Sequence, residues 1–244
     1  MHILDIDLDF FLNQVAHNTS DEYGRLDGTI YIPWTDERVR TFLEVNCGLS
    51  KDSLVPGKFV RSHHEAFYFW KELIENGELV PPFSLVNVDA HLDTGGWGYY
   101  DGGLYIINEL SKIPPGERHK HIKHMDAGNY ISFVVACNWT DHILFVLHPE
   151  GNGDITSMLA KDLDPQSNYF EIRNYIKHVT AETIHSADYI SVDTEVPFKI
   201  LDDIDKYRED LPFDFIVLSQ SPGFTPETSD TLIPIILEYI ELIN

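Results

Sequence analysis

Short apolar runs recur along the chain, and three of them end in alternating acids. Ser84-Leu85-Val86-Asn87-Val88 follows two prolines and reads as a buried strand. It passes into Asp89-Ala90-His91-Leu92-Asp93. Continued extended backbone would put Asp89, His91 and Asp93 on one face, because side chains alternate along a strand. A second run, Ile3-Leu4-Asp5-Ile6-Asp7-Leu8-Asp9-Phe10-Phe11, places Asp5, Asp7 and Asp9 on one face and aliphatic bulk on the other. A third, over 187–197, is apolar first and then presents Asp193 and Glu195, with Pro197 ending it.

Helical patterns separate these strands. Thr35 is a candidate N-cap for a helix over 35–47, with Val39, Phe42 and Leu43 turned inward. A strand, a turn and a helix span 59–77, carry His63 and His64 at the junction, and stop at Gly77. The pattern further predicts a helix or strand over 133–139, a buried strand over 142–149 and a helix starting over 106–110. It also predicts a helix over 168–179 with Phe170, Ile172, Tyr175 and Ile176 as its apolar stripe. A last strand is expected over 213–219 and an amphipathic helix over 228–243. The Gly-, Tyr- and Trp-rich stretch 94–103 is expected as a loop at the mouth of whatever the acids line, with Trp97, Tyr99 and Tyr100 at the entrance. Residues 114–124 read as a solvated surface loop. Strands alternating with helices predict an α/β fold with a mainly parallel central sheet. Ligands of such sheets bind beyond the carboxyl ends of the strands, where these acids lie. Residues 1–244 are expected to form a single domain, with 13–57 a partly irregular insertion.

Composition changes how the acids are read. The chain has 244 residues, 43% of them hydrophobic, which is ample for a core. No apolar run approaches the roughly 18 residues of a membrane span. Cys47 and Cys137 are too few for a disulfide framework. No basic leader precedes the first strand, so a cytoplasmic protein is the expectation. The net charge of -23 argues against nucleic acid and anionic membranes, and favours metal ions or a basic substrate. Buried carboxylates are costly unless paired, and three on one face repel unless a cation sits between them. A divalent metal meets both demands, and carboxylates with imidazole suit Mn, Zn or Fe, the oxygen ligands favouring a harder ion. The competing account is a set of half-buried strands with solvated acids. Pooled, the donors suffice for two ions sharing carboxylates, which points to metal-assisted hydrolysis. There is no phosphate-binding loop, no dinucleotide fingerprint in Gly95-Gly96-Trp97-Gly98 and no G-x-S-x-G.

Asp89-Ala90-His91-Leu92-Asp93 resembles the D-A-H-x-D signature of the arginase and agmatinase (ureohydrolase) superfamily, whose fold is shared with histone deacetylases. Ser191-Val192-Asp193-Thr194-Glu195 looks like that superfamily's S-x-D-x-D run, with glutamate last. The N-terminal aspartate run, Ser62-His63-His64-Glu65 and Ser221-Pro222-Gly223-Phe224-Thr225-Pro226 are together similar to a divergent arginase-like family that includes the peptide arginases. Those enzymes convert arginine in ribosomally made precursor peptides to ornithine and urea, with Mn. The resemblance implies a three-layer arginase/deacetylase-like fold, two Mn ions and an arginine-containing precursor peptide as partner. It offers His64, Asp89, His91, Asp93, Asp193, Glu195, Asp7 and Asp9 as candidate metal ligands, with Asp7 and Asp9 competing against Asp193 and Glu195 for one role. His63 is an alternative to His64, and would otherwise shuttle a proton. Asp93 would steer the nucleophile. Asn129 and Glu227 are candidate substrate contacts; 219–222 lacks the guanidinium-binding glutamate of arginases, and Glu227 or an N-terminal aspartate is the candidate to replace it. A Zn-dependent deacylase and a non-catalytic metal-binding protein remain as alternative readings.

Overall fold

The alternation in the apolar runs becomes a sheet buried on both faces. The computed structural model describes residues 1–17, 19, 23–95, 99–153, 155–191, 193 and 195–243. Among them lie strands β1 (His2–Asp7), β2 (Val55–Val60), β3 (Phe83–Asp89), β4 (Thr140–Leu147), β5 (Tyr169–Phe170), β6 (Arg173–Tyr175), β7 (Tyr189–Ser191), β8 (Val196–Leu201), β9 (Phe215–Ser219) and β10 (Ile240–Leu242). The α-helices are α1 (Asp36–Thr41), α2 (Glu65–Asn76), α3 (Tyr99–Asn108), α4 (Pro115–Arg118), α5 (Tyr130–Ala136) and α6 (Ile233–Ile236). Eight strands form one sheet in the order β10-β2-β9-β1-β3-β4-β8-β5, parallel throughout except for β5. The fold is a three-layer α/β arrangement with helices on both faces of this sheet.

Odd and even positions of the central strands serve different layers. Ile3, Leu85 and Val217 pack with Phe67 and Trp70 of α2 and Val134 of α5. Leu4, Ile6, Val86, Val88, Ile216 and Leu218 pack on the opposite side with Val39 of α1, Ile236 of α6 and Phe10 and Phe11. β1 lies between β3 and β9, with Asp5 opposite Asn87 and Asp7 opposite Ser219. From β1 the chain passes to β2 on one side and then to β3 on the other. The carboxyl end of β1 is therefore a switch point of the sheet, where α/β folds open a crevice.

Several elements match the periodicity. Thr35 caps α1, its hydroxyl accepting from the Arg38 amide at 3.3 Å. Gly77 ends α2 in the left-handed conformation at φ 77. Others do not match. The 168–179 segment is not a helix: β5 pairs antiparallel with β8, and β6 pairs antiparallel with β7 in a separate two-stranded sheet. Its aromatic and β-branched residues suit strands as well as helices, and its supposed stripe breaks at Ile176, which is 72% exposed. The predicted strand over 187–197 divides into β7 and β8, with Pro197 inside β8 opposite Tyr169; residues 192 and 194 lie outside those described. The C-terminal helix is broken up. Pro234 lacks an amide donor and sits at the start of the four-residue α6, and the chain then becomes β10 beside β2. The stretch 114–124 is not wholly a solvated loop, because α4 buries Arg118 against the carbonyls of Ile113 at 2.8 Å, Ser111 at 3.1 Å and Ala136 at 2.6 Å. Among the described residues no helix is long and apolar enough to cross a membrane.

Candidate metal centre

Each acidic strand end is turned by its own side chains. β1 stops at Asp7, whose Oδ1 accepts the Asp9 amide at 3.1 Å, and residues 8–11 wind into a 3-10 turn. Asp9 thus leaves the face on which strand alternation would place it, and its Oδ1 accepts the amide of Ala90 at 3.3 Å. β3 stops at Asp89, whose Oδ1 accepts the His91 amide at 2.9 Å. Small polar acceptors of this kind bend a chain locally. The loop after β4 supports the bend: the His148 amide donates to the Asp89 carbonyl at 3.0 Å and the Asn152 amide to the Ala90 carbonyl at 3.1 Å. Gly151 packs so closely here that a Cβ would stand 2.6 Å from the Ala90 carbonyl oxygen. Asp93 adopts φ 49, and its carbonyl accepts the Ile131 amide of α5 at 3.2 Å. His63 is presented by the turn between β2 and α2. Glu65 Oε2 holds that turn by accepting the amides of Arg61 at 2.7 Å and Ser62 at 3.0 Å. The Ser221 amide ties the end of β9 to the Arg61 carbonyl at 2.9 Å.

These devices converge on one point. His63 Nδ1 lies 3.1 Å from Asp7 Oδ2, 3.2 Å from Asp89 Oδ2 and 2.9 Å from Asp93 Oδ2. Three carboxylate oxygens thus surround a nitrogen that carries at most one proton. The contacts are short but wrongly directed for hydrogen bonds, and His63 Nδ1 and Asp89 Oδ2 are buried with no hydrogen-bond partner among the described residues. The other oxygen of Asp89 faces a second group: His91 Nδ1 lies 3.0 Å from Asp9 Oδ2 and 3.7 Å from Asp89 Oδ1. Asp7, His63 and Asp89 form one compact donor set, and Asp9, Asp89 and His91 form another. Asp89 belongs to both.

Charge points the same way. Asp7, Asp9 and Asp89 are at most 3% exposed. An uncompensated buried charge costs several kcal/mol. Burial, followed by the charges of Asp7 and Asp89, pushes the Asp9 carboxyl well above the usual carboxylate range. Burial and the charge of Asp89 push Asp93 up to about 8. Burial also works to raise Asp89, yet the close imidazoles of His63 and His91 pull it below the usual range. Burial opposes protonation of His63 and His91, but Tyr130, Asp5 and Asp7 around the first and Asp9 and Asp89 around the second raise both rings well above their ordinary range. Without metal the pocket therefore gathers protons to balance its carboxylates. Metal ions bound there would compete for the same donors and release those protons. Two divalent cations would neutralise the four carboxylates of Asp7, Asp9, Asp89 and Asp93, and the donor chemistry fits Mn or a similarly hard ion.

The structure brings together Asp7, Asp9, His63, Asp89, His91 and Asp93, and separates the other candidates. His64 is beside His63 in sequence but turns its Nδ1 to Ser62 Oγ at 3.0 Å. Asp193 pairs with the buried guanidinium of Arg118, and Glu195 pairs with Lys161 at 2.8 Å. Both acids meet a cation from the chain itself and lie outside the two donor sets. Asn129 spends its amide locally, donating to the His124 carbonyl at 2.9 Å and accepting the Asp126 amide at 2.9 Å. Glu227 is exposed at the start of a 3-10 turn. Trp97 lies outside the described residues, as do the side chains of Tyr99 and Tyr100. Two other residues escaped sequence reasoning. Ser221, at φ 46, donates its hydroxyl to Asp7 Oδ2. Tyr130, completely buried on α5, donates to Asp5 Oδ2 at 2.6 Å. Only the parity of Asp5 with Asp7 hinted at the latter contact. Comparison with family models, with curated proteins and with solved structures found no match for this chain.

Proposed function

We propose that the chain is an arginase-like hydrolase that holds two Mn ions and converts arginine residues of a precursor peptide to ornithine with release of urea. The observation that carries the metal reading is the divided carboxylate of Asp89, with Oδ2 facing His63, Asp7 and Asp93 and Oδ1 facing His91 and Asp9. His63, Asp7, Asp89 and Asp93 would hold one ion, and Asp9, Asp89 and His91 the other. The choice of substrate rests on the likeness of residues 89–93 to the ureohydrolase signature. The net charge of -23 supports it, since such a field draws a guanidinium inward. Free, buried Cys47 and Cys137 suit a cytoplasmic setting.

When bound, the ions supply positive charge and lower the pKa of water toward neutrality. In the reaction, water adds to the guanidinium carbon, the bond from that carbon to Nε breaks, and the departing nitrogen takes a proton to become the ornithine amine. Asp93 is the group assigned to steer the nucleophile and pass on its proton. A carboxylate is a suitable group for that proton transfer. His63 has the role of ligand rather than shuttle, because it is 1% exposed and its Nε2 is engaged by Tyr130.

The test incubates Mn-loaded protein with arginine-containing peptides, with acetyl-lysine peptides run in parallel. Urea release together with the mass change from arginine to ornithine is the expected result. Two bound Mn ions without urea from any arginine peptide would reject the reading, and turnover of acetyl-lysine would replace it with a deacylase.

A further inference from the structure

We infer that Tyr130 and Asp5 are positioning residues for His63, dictating which ring nitrogen keeps its proton and so holding the other open to a metal ion. The inference rests on the metal-centre reading above and assigns work to two side chains outside the donor sets.

The argument starts from the sheet. Asp5 on β1 and Asn87 on β3 are register partners, and both lie beneath the helical layer that carries Tyr130. Asp5 and Tyr130 are completely buried, Asn87 and His63 are 1% exposed. The phenol makes three contacts. It donates to Asp5 Oδ2 at 2.6 Å, accepts from Asn87 Nδ2 at 3.2 Å and meets His63 Nε2 at 2.9 Å. A phenol has one proton and two lone pairs. Donation to the carboxylate uses the proton, and the Asn87 amide takes one lone pair. The remaining lone pair faces His63 Nε2, which must bring its own proton. Asp5 Oδ1, 3.3 Å from the same nitrogen, favours that proton electrostatically. A neutral imidazole with its proton on Nε2 has its free lone pair on Nδ1, the nitrogen facing Asp7, Asp89 and Asp93. Ligating histidines are commonly fixed in this way by a partner on the far nitrogen.

The two halves of the centre differ in this respect. The far nitrogen of His91, Nε2, meets, among the described residues, the backbone carbonyl of Ala16 at 3.0 Å and neither Asp5 nor Tyr130. The network therefore acts on the His63 half alone.

Calorimetric titration of metal-free protein with Mn separates the possibilities. The unaltered protein should show two binding constants. Asp5→Asn keeps the volume but can offer an amide donor to His63 Nε2, driving the proton to Nδ1. It should weaken one constant by about 10–100-fold, the usual cost of losing such a partner, and leave the other unchanged. Tyr130→Phe, nearly isosteric, should weaken the same constant by less. Should Asp5→Asn fail to fold, Tyr130→Phe and nitrogen-15 spectra of the unaltered Zn-loaded protein decide, with His63 expected to be protonated at Nε2. Protonation at Nδ1, unchanged constants in the variants, or equal weakening of both constants would overturn the inference and leave the metal centre standing. No Mn binding by the unaltered protein would overturn both.

Discussion

Two stretches of this chain look alike and end differently. Residues 3–9 and 187–195 both begin apolar and finish in alternating acids. The first becomes β1, flanked on both sides by parallel strands whose carboxyl ends deliver Asp89 and Ser219 beside Asp7. Asp7 then meets a histidine, a serine hydroxyl and a backbone amide. The second becomes β7, paired with β6 outside the main sheet, and its acids meet Arg118 and Lys161. An acidic strand end gathers a donor set that could hold a metal where neighbouring strands bring further carboxylates and imidazoles and, among the described residues, no lysine or arginine pairs with them. Where the chain supplies its own cation, the same pattern is spent on an ion pair. The difference lies in the neighbours rather than in the acids.

Replacing Asp89 tests the comparison most severely. Asp89→Asn should abolish binding of both Mn ions, read by metal analysis and by loss of metal-induced thermal stabilisation, with urea release falling to background. His63→Ala should also lose Mn, while His64→Ala should retain it; the reverse result would exchange the two histidines. On the other side of the comparison, Asp193→Asn should leave Mn stoichiometry intact and destabilise the fold. Arg118 is 1% exposed, so loss of its charged partner should cost about 3 kcal/mol, or roughly 6–12 °C in Tm. Loss of Mn from this variant would return Asp193 to the centre.

A milder effect comes from pH. His63 and His91 have folded pKa values above 6.5, and Asp93 lies at about 8 against 3.8 in an unfolded chain. In each case the folded protein binds more protons than the unfolded one, so stability falls as pH rises through the window. Asp89, held low, has finished titrating below this range. Metal-free protein should therefore lose thermal stability between about pH 6.5 and 8, and Mn affinity should rise over the same interval as competing protons leave. A thermal midpoint that climbs with pH in the absence of metal would contradict the proton-gathering pocket. The smallest effect belongs to Glu195→Gln. Its contact with Lys161 is 35–38% exposed, and a surface pair of this kind contributes about 0–1 kcal/mol. A large loss of stability or of metal there would break the contrast.

Much of the centre was legible before any fold was known. Asp89, His91 and Asp93 were marked by their place after a buried apolar run, and Asp7 and Asp9 by the same construction. The route by which they meet was not legible. Alternation along extended strands was the expected device, but β1 stops at Asp7, its second acid, and β3 at Asp89, its first, and both side chains bend the chain by accepting amides two residues on. Such turns compete with strand continuation by small energies that a residue pattern does not rank. His63 and His64 are equivalent in sequence, and the turn held by Glu65 distinguishes them.

By itself the sequence determined the layered α/β class, the burial of the central strands and the stock of acidic and imidazole donors, because periodicity and composition are local properties. Tertiary structure alone decided which strands are neighbours, which histidine faces inward, and that Arg118 and Lys161 neutralise one pair of acids while Tyr130 and Asp5 brace His63 beneath the other. Those outcomes depend on strand order and on contacts between residues far apart in the chain. Asp5 and Tyr130 stand 125 positions apart, and nothing local to Tyr130 marks it as the partner of Asp5.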